Sequence, residues 1–154
     1  MRLYLVRHGE ALPKYLDAAR PLSEEGRKGI ERVASFLKPL ALSVGEVWHS
    51  GKTRARQTAE IMGAVIASAR GIKEKEGLAP DDPVAPVIDL IRKGREDLMI
   101  VGHLPFLDIM AAALLTGNEK ADFVTFPSGG IACLERENGG PWYLRWMLSP
   151  EVIH

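Results

Sequence analysis

The apolar residues fall into two rhythms. Leu3-Tyr4-Leu5-Val6, Val47-Trp48 and Leu98-Met99-Ile100-Val101 are short, continuous and β-prone. Runs of this kind, bounded by polar or turn-forming residues, predict strands buried on both faces. Helical spacing appears between them. Ile30, Val33, Ala34 and Leu37 form one apolar face, and Ser23 stands where an N-cap is needed. Glu24 and Glu25 suit the positive end of that helix, and Pro39 marks its end. A second helix is expected after Ser50-Gly51-Lys52, with Ala55, Ala59, Met62 and either Val65 or Ile66 turned inward. Val84–Arg92 predicts a third helix. Phe106–Leu115 predicts a fourth, with Pro105 at its first position and Thr116-Gly117 closing it.

The intervening stretches complete the picture. Residues 10–20 have no period, contain Pro13 and read as a loop over the end of the first strand. Ile72–Leu78 predicts a short strand, and Ala79–Pro83 a turn. The last part changes character. Phe123–Phe126, Ile131–Glu135 and Trp142–Leu148 are strand-like and separated by glycine- and proline-rich turns. The expectation is an α/β fold: a three-layer α/β/α domain over residues 1–154, with a mostly parallel sheet and antiparallel C-terminal edge strands.

Composition removes several function classes. Twenty basic and twenty acidic residues cancel, so no surplus of positive charge points to nucleic acid or to an anionic membrane. Neither a signal peptide nor a membrane span is evident, which makes a cytoplasmic protein the expectation. The single cysteine, Cys133, lies in an apolar run and reads as a small core residue. Neither CxxC nor HExxH occurs, and no metal site or other cofactor is predicted.

The candidate chemistry sits where strands end. Arg7-His8-Gly9 follows the first strand, and Gly102-His103 follows the run at 98–101. Lys52, Arg54 and Arg56 crowd the start of the second helix, where acidic side chains are preferred. An anion bound there would remove this conflict. If the strands are parallel, Arg7, His8, Arg54 and His103 converge. Two guanidinium groups and two imidazoles then make a positive pocket in a neutral protein, suited to a phosphoryl group.

In these segments the chain resembles the histidine phosphatase superfamily. Arg7-His8-Gly9 matches its signature, Ser50-x-x-x-Arg54-Ala55-x-Gln57-Thr58 its second motif, and Gly102-His103 its third. Within the superfamily the small SixA-type phosphohistidine phosphatases are most similar. They also share the stretch seen here as Asp17-Ala18-Ala19-Arg20-Pro21-Leu22-Ser23-x-x-Gly26, and His103-Leu104-Pro105. One departure is Gly51, where many members carry proline; the expectation is an altered loop with unaltered chemistry.

The resemblance implies a metal-independent phosphatase that needs no cofactor. His8 would be the nucleophile, with Arg7, Arg54 and His103 holding the phosphoryl oxygens. Gly9 and Arg20 would contact substrate. The implied partner is a phosphohistidine-containing protein, either a phosphotransfer domain or a carrier, with phosphate as product. Larger relatives place an acid near the site to protonate an alkoxide. Here Glu76, Asp81, Asp82 and Asp17 are candidates, and none stands in a distinct motif. Residues 10–20 and 70–82 are too short for a substantial lid. A small-molecule phosphomonoesterase is the alternative. A non-catalytic phosphoprotein-binding module and a mutase rank lower.

Overall fold

The computed structural model describes residues 1–154. Strands are β1 (Arg2–Arg7), β2 (Ser43–Val44), β3 (Glu46–His49), β4 (Ala67–Ser68), β5 (Ile72–Glu74), β6 (Leu98–Gly102), β7 (Ile131–Glu135) and β8 (Tyr143–Leu148). Helices are α1 (Glu24–Leu37), α2 (Thr53–Gly63), α3 (Ala85–Lys93) and α4 (Phe106–Thr116). Six strands form one sheet in the order β5-β3-β6-β1-β7-β8, and β2 and β4 form a separate parallel pair. β5, β3, β6 and β1 are mutually parallel, while β7 and β8 add antiparallel to the β1 edge.

Strand alternation divides the interior in two. Leu3, Leu5, Leu98, Ile100, Ala132 and Leu134 face α3 and α4. Tyr4, Val6, Val47, Met99, Val101, Ile131 and Cys133 face α1 and α2. Both sheet faces are thus covered by helices. This explains why the parallel strands read as unbroken apolar runs. No helix is long and apolar enough to cross a membrane.

Several sequence expectations shift at their edges. Residues 123–126 join no strand ladder; Phe126 is buried, whereas Phe123 is 56% exposed. Aromatic and β-branched content there serves a loop that returns along the fold. The strand expected at 72–78 stops at Glu74, and the last strand starts at Tyr143 after Trp142. Pro105 is the N-cap of α4 rather than its first residue, and α3 runs one residue later than expected. Of the alternatives for the second helix, Ile66 is the buried residue, although both it and Val65 lie beyond the helix end. The two-residue strands β2 and β4 are too short to leave a periodic signal.

The loop after β1 is clamped to the start of α1. Ser23 caps the helix by accepting the Gly26 N–H at 3.0 Å, and its backbone N–H donates to the Glu10 carbonyl at 2.9 Å. Its hydroxyl also reaches the Glu10 carboxylate, at 3.1 Å. Gly26 is buried, and a Cβ there would run into the Glu10 backbone. Gly26→Ala should therefore destabilise the protein by ~1–3 kcal/mol in urea denaturation, since overpacking outweighs alanine's better helix propensity. A variant more stable than wild type would show that the clamp yields freely.

Candidate active site

The parallel register fixes the site. Arg7 pairs with Gly102 across β1 and β6, and His49 pairs with Val101 across β3 and β6. His8, Ser50 and His103 therefore leave the sheet side by side at its carboxyl edge. The helices that follow β1 and β3 pack on one face, and α4, which follows β6, packs on the other. A crevice opens at such a point in open α/β sheets.

His8 is half-buried, and its ring centroid lies 5.0 Å from that of His103. Its Nδ1 is 2.7 Å from the Gly9 carbonyl oxygen. A carbonyl only accepts, so Nδ1 carries the proton. Nε2 keeps its lone pair and accepts from Arg54 Nε at 3.3 Å. Burial pushes the His8 imidazole down from 6.5 to about 4. The Gly9 bond opposes that shift, and Arg54, Arg7 and Arg20 reinforce it. His103 is pushed to about 3, first by burial and then by His8, Arg54, Lys52 and Arg20.

Arg54 is the member of the cationic helix start that turns inward. Lys52 is exposed, and Arg56 reaches outward to Glu60 at 3.2 Å. Burial, followed by Arg20, weighs against the Arg54 charge. Arg7 Nη1 donates to the Phe126 carbonyl at 2.7 Å, and its Nε is buried without a partner. His103 Nε2 sits 2.6 Å from Ser50 Oγ, and its Nδ1 is buried without a partner. Arg20 has φ 48° and donates from Nε to the Leu12 carbonyl at 3.1 Å, near enough for its charge to act on both imidazoles. Gly9 contributes its carbonyl to His8 and its N–H to Thr58 Oγ1 at 3.1 Å.

The structure thus brings Arg7, His8, Gly9, Arg20, Arg54 and His103 to one place. None of the carboxylate candidates is among the groups that shift His8 or His103. Asp82 accepts from Ala79 N–H within its own turn, and Asp17 from Ala19 N–H. Glu76 and Asp81 are exposed. The charged groups that act most strongly on His8 and His103 are arginine, lysine and the paired imidazole. Such a cluster stabilises an oxyanion with several equatorial oxygens.

Sequence reading gave no role to Ser50, Gln57, Thr58 or the Phe126 carbonyl. Gln57 Oε1 accepts the Leu22 N–H at 2.8 Å and so pins the far end of the loop that starts at Gly9. One signal was available: Gln57 and Thr58 follow Arg54 at i+3 and i+4, polar residues beside the inward-facing Ala55 and Ala59. Gly51 has φ 89°, which proline's fixed φ forbids, and the Glu74 carboxylate lies against its α-carbon. The loop therefore does differ from one built on proline. His49, buried, accepts from Gly51 N–H at 3.1 Å and belongs to that loop's framework.

Comparison with known proteins identifies the family and the fold. Residues 3–79 match the histidine phosphatase superfamily (branch 1). Phosphohistidine phosphatase SixA of Escherichia coli K12 is 27% identical over 97% of this chain and 94% of its own length. An uncharacterized protein of Picosynechococcus is 33% identical over 84% of this chain and 86% of its own. A solved structure of the protein histidine phosphatase SixA complexed with tungstate superimposes with TM-score 0.84 at 26% identity, covering 97% of each chain.

The shifted imidazoles make a pH prediction. Both histidines are neutral in the fold where an unfolded chain would begin to take up protons. The unfolded chain therefore binds more protons below about 6.5, so stability falls as pH drops from about 6.5 toward 3 and is unaffected by these two groups above that range. Nitrogen NMR should find both rings uncharged at about pH 5, with His8 protonated on Nδ1 alone. Titration of either ring near 6.5 would contradict the burial that sets these values.

Proposed function

The chain belongs to the histidine phosphatase superfamily, branch 1, and is a phosphatase of that superfamily; on that premise we propose that it removes phosphate from phosphohistidine of a protein, with His8 as the nucleophile. The observation that carries this reading is the setting of His8 Nε2: a lone pair held neutral by burial, with Arg54 at 3.3 Å and cations as its charged neighbours. Such a nitrogen is a nucleophile at any ordinary pH. Similarity to SixA along nearly the whole chain supports the choice of substrate. Tungstate, the oxyanion bound in the SixA structure, has the tetrahedral shape of phosphate.

In the proposed reaction His8 Nε2 attacks phosphorus in line and the substrate's P–N bond breaks. The leaving imidazole departs neutral when its other nitrogen already carries a proton. No protein acid is then required, which fits a chain in which Asp17 and Asp82 accept from backbone N–H groups of their own turns. Arg7, Arg54 and His103 hold the equatorial oxygens while charge develops. The His8 ring, now carrying phosphoryl on Nε2 and its proton on Nδ1, is positive and becomes a good leaving group. Water attacks phosphorus, the Nε2–P bond breaks, and the lone pair returns to Nε2. Dihydrogen phosphate is released and loses a proton to solvent. The proton stays on Nδ1, donated to the Gly9 carbonyl, throughout.

Arg20 completes the proposed substrate contacts, whereas both backbone groups of Gly9, expected to touch substrate, are committed to His8 and Thr58. The partner is a cytoplasmic phosphotransfer domain or carrier protein bearing phosphohistidine. Residues 1–154 act as one domain with no substantial lid, so a folded protein has access to the strand ends. An imidazole leaving group separates this reading from a small-ester phosphatase, whose alkoxide leaving group needs a proton donor.

The test pairs two substrates with two variants. Wild type should release phosphate rapidly from a phosphohistidine-bearing protein and slowly from a panel of sugar, nucleoside and amino-acid phosphomonoesters. His8→Ala should lose turnover by on the order of 10⁴-fold or more. Arg54→Ala should lower kcat by about 10²–10³-fold, the scale for one preorganised donor to an oxyanion. Fast release from one small ester alone would instead assign a metabolite phosphatase. A covalent phosphoenzyme mapped to a residue other than His8 would refute the mechanism.

A further inference from the structure

Four hydrogen bonds close on themselves around His8. Nδ1–H donates to the Gly9 carbonyl at 2.7 Å, and Gly9 N–H donates to Thr58 Oγ1 at 3.1 Å. The Thr58 hydroxyl donates to the Arg54 carbonyl at 2.8 Å, and Arg54 Nε–H returns to His8 Nε2 at 3.3 Å. Both nitrogens of one imidazole are thereby joined through a single hydroxyl. Thr58 is fully buried in α2.

The bond from Thr58 to Arg54 alone would be unremarkable, because helical threonines commonly bond the carbonyl four residues back. The second bond is different. It spans 49 positions of sequence, from α2 to the loop after β1. A hydroxyl offers one donor and two acceptor lone pairs, and here the donor and one acceptor are committed to the two segments that carry His8 and Arg54. Branching at Cβ restricts the rotamers available to the side chain.

We infer that Thr58 is a positioning residue: its hydroxyl fixes the separation between Gly9 and Arg54 and so sets His8 Nε2 against the Arg54 guanidinium. The inference rests on the reading of His8 as nucleophile. Gly9 is the element through which the effect passes, since its N–H is held by Thr58 while its carbonyl holds the His8 proton. Valine reproduces the shape of threonine and lacks the hydroxyl. It leaves the buried Gly9 N–H unpaired and frees the loop to drift, so that attack geometry is lost while the oxygen-binding cations remain.

Four proteins decide the matter: wild type, His8→Ala, Thr58→Val and Thr58→Ser. Turnover of a phosphohistidine-bearing protein gives kcat and KM, calorimetry with tungstate gives oxyanion affinity, and nitrogen NMR reports the His8 tautomer. Thr58→Val should lower kcat by about 30–100-fold, the cost of a misplacement near 1 Å, with KM and tungstate Kd changed by less than about threefold. Its His8 ring should populate both tautomers. Thr58→Ser should return kcat to within about threefold of wild type and restore the Nδ1–H form. If Thr58→Val does not fold, Thr58→Ala is read against Thr58→Ser in the same way. A valine variant within twofold of wild type in kcat, or a serine variant as impaired as valine, would overturn the inference. Full turnover in His8→Ala would instead overturn the nucleophile assignment, and this inference with it.

Discussion

The site depends on one backbone hydrogen bond beyond the formal end of a strand. His8 N–H donates to the Gly102 carbonyl at 3.0 Å, continuing the β1–β6 ladder by one rung. The placement of His8 at the sheet edge descends from that rung. It sets His8 beside His103, and it fixes where the chain turns away at Gly9. Gly129 N–H donates to the His8 carbonyl at 3.1 Å, so the approach to β7 is tied to the same residue. The fold brings together groups from four distant stretches of sequence by ordinary sheet pairing. The polar side chains then add local adjustments to a placement already made.

The charge arrangement is the counterpart of this geometry. Protonated imidazole is opposed twice, by loss of water around the rings and by the neighbouring arginines. Arg54 itself lies in the first turn of α2, which contains no acid and whose cap residue Lys52 provides no side-chain bond. Helix start, guanidinium groups and neutral imidazoles therefore leave a shared deficit of negative charge. Phosphoryl oxygens supply what is missing, and they do so without requiring a change in the protonation of His8. A nucleophile and its electrostatic support become compatible because the nucleophile is neutral.

Much of this was legible in the sequence because it follows from strong periodic signals. The runs at 3–6 and 98–101 state buried strands, and a histidine just beyond each states where chemistry is presented. The crowding of Lys52, Arg54 and Arg56 announced an anion site, since helix propensity alone offers no reason for it. What was hidden depends on single long-range bonds. Ser50 meets His103, Thr58 meets Gly9, and the Phe126 carbonyl meets Arg7, pairings that no local pattern encodes. The stretch 123–126 misled for a related reason. Its composition suits a strand, but its backbone runs to Asp108, which accepts the Phe126 N–H at 3.2 Å, and to Arg7.

Gly51 bears on how such a site changes over descent. Its backbone lies at φ 89°, and the Glu74 carboxylate of the neighbouring strand fills the space a side chain would occupy. Proline at this position requires the loop backbone to be rebuilt, whereas the exposed Glu74 side chain can swing aside. The constraint at residue 51 is therefore one of backbone conformation, and it is borne by the linker between the reacting groups rather than by those groups themselves.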